Sequence, residues 1–254
     1  MSDPPQTTRA NWLRRAVIEA PIIVGSILLA FAIDAGWDVR GERVERDEIL
    51  EGLREEYSEH RADYIGTIAR AEERLADMEL LFSGSAAMAM GIDRVNRSLF
   101  QLIIVTTNDP GRGVRDALIS SGRLELIRDV QLRMRLANWE GVVDEVRENQ
   151  ALMRQLSASQ IVPYLAGAEV PLARVFSANG TEHHLWPPSM DWPTGSSPVG
   201  DLEDTYQRIL DDPEFQSFLS VRYTWLAWTV TELGAVLTEI DTILDGLELE
   251  LGRK

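Results

Sequence analysis

An all-α fold is what this chain predicts: an N-terminal transmembrane helix continuing into a long helix, plus an antiparallel helical bundle. Three observations predict it. Ala16 to Trp37, AVIEAPIIVGSILLAFAIDAGW, is almost unbroken in its apolar character. Downstream, apolar residues recur at steps of three and four over long segments, the spacing of one helix face. Nowhere does the alternating pattern of a strand, or a Gly-rich strand-to-helix turn of an α/β enzyme, interrupt them.

In the opening stretch, every residue from Ala20 to Ile33 is apolar or small, and extension back to Ala16 adds only Glu19 as a charge. Those residues make a helix about 27 Å long, enough to span hydrocarbon. Trp12 and Trp37 flank the run, roughly 37 Å apart along a helix, the separation of the two interfacial belts in which indole rings settle. Glu19 and Pro21 sit near its start, where a carboxylate reaches headgroups or meets a partner subunit and where a proline removes least. Two other readings compete with a retained anchor. In one, Arg14 and Arg15 with Ala30-Phe31-Ala32 form a cleaved signal peptide; in the other the run is a buried core helix. The acid within the run and its smooth continuation into a charged helix through Asp34, Asp38 and Arg40 favour the anchor. Arginines before the span (Arg9, Arg14, Arg15) match those after it (Arg40, Arg43, Arg46), so charge does not set the orientation. An early span ahead of a long domain acts as a signal anchor, which favours residues 1–15 in the cytoplasm and the bulk of the chain in the periplasm of a bacterial inner membrane, with a cytoplasmic bulk as the other reading.

Beyond the anchor at residues 16–37, the first part of the bundle occupies 38–166. Leu50, Leu53, Tyr57, Tyr64, Ile68, Ala71, Leu75, Met78 and Phe82 draw one stripe along a helix, with His60 filling the gap. Because only one stripe is apolar, this helix needs partner helices, and Leu53 and Tyr57 are positions where such a partner is expected. Ser83–Gly91 is a small-residue turn. Ile92–Thr107 reads as a second helix, ended by Asn108-Asp109-Pro110-Gly111, and a third runs from Val114 to Ser121 with Gly122 as its left-handed cap. Asp129 caps a long helix whose stripe is Leu132, Leu136, Trp139, Val143, Val146 and Met153, reaching Tyr164. Residues 167–200, with Pro171, Pro187, Pro188, Pro193 and Pro198, read as a loop. The C-terminal helices, 201–254, complete the bundle: a short one from Leu202 to Leu210, and a last one opened by Asp212-Pro213-Glu214 as cap, first-turn proline and first-turn acid. Its stripe is Phe218, Trp225, Leu233, Val236, Ile240 and Leu247, and Arg222 and Glu232 keep it from being a second span.

Charge and composition narrow the function. A net charge of −16, from 41 acids against 25 basic residues, leaves no basic surface for nucleic acid. The absence of cysteine removes disulfides, thiolate catalysis and Cys-based zinc sites. Serines have no recognisable histidine partner, and Gly111-Arg112-Gly113 lacks the spacing of a phosphate loop. His183 and His184 are adjacent in the loop and read as solvated. Glu56 and His60, with Glu59 and Asp63, suggest a carboxylate–histidine metal site, but no second copy of the motif exists and a surface pair is the default reading. Trp225 and Trp228, beside Tyr223, either pack the core or line a ligand cavity between helices. No catalytic residue, cofactor or metal ligand is assigned.

The segment Ile33-Asp34-Ala35-Gly36-Trp37, the run ALISSGRLELIRDVQLRMRLANW at Ala117–Trp139 and LDDPEFQSFLSVR at Leu210–Arg222 together resemble an uncharacterised bacterial family of single-pass, helix-rich membrane proteins, a domain of unknown function. The resemblance touches anchor, centre and C-terminal helix, and it implies topology and helical content but no reaction. The expectation is a membrane-anchored scaffold or accessory protein that works through contacts with another protein or with itself, and not an enzyme. A sensor-like domain binding a small ligand is the alternative, and an enzyme of unknown type the third reading.

Overall fold

The computed structural model describes residues 8–105, 111, 113–177 and 199–253; within these, the side chains of 8–27, 32, 35, 38, 39 and 199–201 are not described. The described chain is helical, with no strand. Helix α1, Thr8–Leu81, is continuous over 74 residues, so the apolar stretch and the striped helix after it are one unbroken helix. A 3₁₀ turn, Gly84–Met90, leads to α2, Ile92–Ile103, followed by α3, Val114–Ser120. Helix α4 spans Val130–Leu156, α5 Val162–Gly167, α6 Leu172–Ser177, α7 Val199–Leu210 and α8 Pro213–Glu250.

Local chemistry sets several of these boundaries. The Asp129 carboxylate accepts from Gln131 N at 2.7 Å, satisfying an amide at the start of α4 that has no helical acceptor. Asp212 does the same for α8 through Glu214 N at 2.8 Å, with Pro213 in the first turn. Gly122 takes a φ of 70°, which closes α3 in the left-handed region. Gly84 takes a φ of 61°, and a Cβ there would stand 2.5 Å from the Asp211 carboxylate that accepts from Ser85 N, so this turn requires glycine.

Three boundaries differ from expectation. Helix α2 stops at Ile103, because Ile104 is extended (φ −79°, ψ 142°), rather than reaching Thr107. The run from Val130 to Tyr164 is interrupted by a π turn at Ser157–Ile161. Pro163 supplies the reason: it lacks an amide hydrogen and its ring crowds the carbonyl of residue 159, which the wider turn relieves. The Pro-rich segment 167–200 is not all loop, since α6 lies inside it and α7 begins at Val199; the rest of it, including His183, His184, Trp186 and Trp192, lies outside the described residues.

The long helices form the frame. Helix α8 runs antiparallel to α1, with ion pairs from Arg46 to Glu250 at one end and Arg61 to Asp241 further along, and a hydrogen bond from Tyr223 to Glu79 near the other end. It is antiparallel to α4 as well, so α1 and α4 are parallel. One core cluster joins Leu50, Leu53, Tyr57 and Tyr64 of α1 to the stripe of α4 and to Leu233, Val236, Ile240 and Leu247 of α8. The other joins Ala71, Met78 and Leu81 to α2, α5, α6, α7 and the start of α8. Burial of this apolar surface is what stabilises helices whose single stripe could not hold them alone.

The stripes are shifted in places. Phe82 is exposed and Leu81 takes its place in the core; Phe218 is half-buried between the buried Phe215 and Leu219; Trp225 is half-buried beside the buried Leu226. Leu53 and Tyr57, expected to meet another protein, are completely buried against α4 and α8 of the same chain.

Candidate functional site

Among the described residues no helix is long and apolar enough to cross a membrane. The stretch Ala16–Trp37 falls mostly on residues whose side chains are outside that description, as do Trp12, Arg14, Arg15 and Glu19. What the structure does describe of it is distinctive. Leu28, Leu29, Phe31 and Ile33 are all exposed, Phe31 at 67%, and Trp37 follows at 71%. At about 100° per residue these positions spread around more than half the circumference of the helix, so no single neighbouring helix covers them. Large apolar side chains exposed so widely around a rod need a partner other than water.

The bundle takes hold of α1 below Trp37. Arg46 donates to the Glu250 carboxylate at 2.6 Å and to the Glu250 carbonyl at 2.9 Å, while the other carboxylate oxygen of Glu250 accepts from Asp129 N at 2.5 Å. One acid thus ties α1, the start of α4 and the end of α8 together. Arg123 pairs with Glu45 beside it. From Trp37 to Arg46 is about 14 Å of helix, which sets the bundle a short distance from the exposed apolar stretch.

Further along α1, Glu56 and His60 are brought together with residues far away in sequence. Glu56 is not one half of a surface pair: its carboxylate accepts from Val114 N at 2.5 Å and from Arg115 N at 3.2 Å, capping α3. His60 is 3% exposed, stacked on Trp139 and edge-on to Tyr57. Its Nε2 donates to the Gly111 carbonyl at 3.1 Å, which puts the proton of the neutral ring on Nε2 and leaves the buried Nδ1 without a partner. Burial lowers the His60 pKa below its ordinary value, against the pull of Glu56 and of the Gly111 carbonyl. Burial likewise raises the Tyr57 phenol. Among the described residues no group of three or more His, Asp or Glu side chains is placed to hold a metal ion.

The two tryptophans of α8 differ in exposure. Trp225 is half-buried and Trp228 is 62% exposed, its indole Nε1 donating to Glu232 at 2.6 Å. The same carboxylate oxygen accepts from Asn149 Nδ2 of α4 at 2.5 Å. Leu152, one turn beyond Asn149, is also exposed, as is Val221. Trp228 and Leu152 are thus both exposed within one helical turn of the Asn149–Glu232 hydrogen bond that joins α4 to α8, with the indole held by a hydrogen bond. Apolar spacing alone does not reveal this arrangement, because it arises from two helices nearly eighty residues apart.

The chain matches no family model, no curated protein and no solved structure.

Proposed function

We propose that this chain is a single-pass, membrane-anchored helical protein of a bacterial inner membrane, with its bundle on the periplasmic side, acting as a scaffold or accessory subunit through protein–protein contacts. The observation that carries the reading is the set of apolar side chains at Leu28, Leu29, Phe31 and Ile33, exposed around more than half the circumference of α1 and followed by the exposed Trp37. Lipid tails solvate such a surface; water does not. An exposed tryptophan at its end suits the interfacial belt. The similarity of the Ile33–Trp37, Ala117–Trp139 and Leu210–Arg222 segments to the family of single-pass, helix-rich membrane proteins supports the same topology.

The protein-contact part rests on a different surface from the one the stripe suggests, since that stripe is consumed within the bundle. Trp228 and Leu152, each one helical turn from the Asn149–Glu232 bond, offer an exposed aromatic and an exposed aliphatic anchor, the indole already fixed by Glu232, and a pre-ordered aromatic group is the kind of side chain that dominates interfaces. The test is cross-linking of the full chain in native membranes followed by mass spectrometry, comparing wild type with Trp228→Ala and Leu152→Ser. The reading expects a discrete adduct, to a second copy or to another protein, that both variants weaken without loss of folded protein. Adducts of the same pattern in all three would contradict it.

A further inference from the structure

Helix α8 is poor in charge for this chain. From Phe215 to Thr238, FQSFLSVRYTWLAWTVTELGAVLT, the charged residues are Arg222 and Glu232, in a protein of which 26% is Asp, Glu, Lys or Arg. Neither brings its charge to the surface. Arg222 is 2% exposed and donates to the Leu102 and Ile104 carbonyls. Glu232 is half-buried: one carboxylate oxygen takes the Trp228 and Asn149 bonds, and the other is buried. The residues that α8 exposes from Ser217 to Thr238 are serine, threonine, alanine, valine and tryptophan. They recur mostly at steps of three and four, so they form one continuous face about 32 Å long, with Trp228 near its middle.

The other long helices differ. On α1 the exposed residues include Glu55, Glu59 and Asp63, and on α4 they include Asp144, Glu145 and Glu148. The outward face of α8 also makes little demand on water. The hydroxyls of Ser220, Thr224, Thr231 and Thr238 each donate to the carbonyl four residues back in their own helix, so covering them strands no donor.

We propose that this face is the interface with a second copy of the chain, the two α8 helices lying parallel. The inference deepens the reading of a membrane-anchored protein that works through protein contacts, and it rests on that reading. Charge selects the occupant. A chain of net charge −16 repels its own kind through any face that carries its acids, and along α8 that repulsion is weakest. A basic partner gains attraction and speed of association from the acidic faces of α1 and α4, an advantage that α8 does not offer. The shared bilayer sets the direction. In each copy α1 leaves the membrane at the same height, so a twofold axis along the membrane normal places α8 beside its counterpart at equal level, with Trp228 near the axis. An aromatic anchor at the centre of a face is where binding energy concentrates.

The chain has no cysteine, so single cysteines report on this pairing without background. Thr224→Cys and Thr231→Cys flank Trp228, and Glu145→Cys, on the acidic face of α4, is the control. The full chain in native membranes is oxidised with copper phenanthroline and run on non-reducing gels. A disulfide needs Cα atoms within about 7 Å, so in a parallel pair both threonine positions cross-link to their own counterparts, whereas an antiparallel pair centred on Trp228 holds each well beyond that reach. The expected result is a product of twice the chain mass from both variants, at least tenfold more than from Glu145→Cys. Adding Thr231→Glu to Thr224→Cys, at an exposed position whose hydroxyl bonds its own helix, is expected to lower that product at least fivefold. Membrane-bound chain without the product, a product as abundant from Glu145→Cys, or one insensitive to Thr231→Glu would overturn the pairing and leave the anchor reading in place. So would an adduct of another mass, which would assign the face to a different protein. Chain recovered in the detergent-free supernatant would overturn the anchor reading and the parallel pairing together.

Discussion

His60 and Trp139 stack with their ring planes 4° apart and their centroids 5.9 Å apart, one on α1 and the other on α4, while the His60 Nε2 reaches the Gly111 carbonyl ahead of α3. A residue whose spacing from Glu56 suggests the outside of a helix is thus a junction between three parts of the chain.

The buried His60 makes stability depend on pH. Its folded-state pKa is depressed from 6.5, so the folded state resists a proton that the unfolded state accepts. The stabilisation from the neutral ring is fully present above the unfolded value and declines as pH falls below it toward the depressed folded value. Tm of the wild type is expected to fall between neutral pH and about 5.5, and His60→Leu is expected to flatten that part of the curve while lowering Tm at neutral pH. Parallel curves for the two proteins would show that His60 does not carry the effect.

Glu56 is the cap of α3, and its replacement tests that role. Glu56→Ala leaves Val114 N and Arg115 N without their acceptor and is expected to cost about 1–2 kcal/mol in denaturant unfolding. Glu56→Gln keeps an oxygen acceptor at the same reach and is expected to recover part of the loss. Equal losses in the two variants would place the effect in the charge and not in the cap.

Leu53 separates folding from partner contact. It is completely buried between α1, α4 and α8, so Leu53→Asp sets a carboxylate in an apolar core and is expected to destabilise by about 4 kcal/mol or more. Trp228→Ala, at an exposed site, is expected to change unfolding by about 0.5 kcal/mol or less. Circular dichroism melts of the two variants check both statements.

Much of the frame is readable in the sequence because the relevant chemistry is local. Asp129 and the Asp212-Pro213-Glu214 triplet announce helix starts within four residues, and no strong breaker divides α1. What apolar periodicity misses are polar residues that fall in phase with it. Arg222 lies three residues after Leu219 and four before Leu226, both buried, so its position belongs to the inner face although its charge suggests the outer one. Gln150 falls likewise between Val146 and Met153. His60 fills the gap in the α1 stripe and is buried there, but its neighbours are not legible: Trp139 and Gly111, which enclose it, are 50 or more residues away, and helical spacing carries no information at that range. The break at Ser157–Ile161 had a visible cause in Pro163, whereas nothing in the spacing marked α6 inside the Pro-rich segment.

The most direct test of the account is where the full chain partitions. Cells expressing it are lysed without detergent, membranes are collected and washed at alkaline pH, and the protein is followed in pellet and supernatant beside a variant in which Leu28, Leu29, Phe31 and Ile33 are all replaced by serine. The account predicts wild-type protein that stays with the washed membranes until detergent is added, and a variant that shifts to the supernatant. Full-length wild-type protein recovered in the detergent-free supernatant would contradict it.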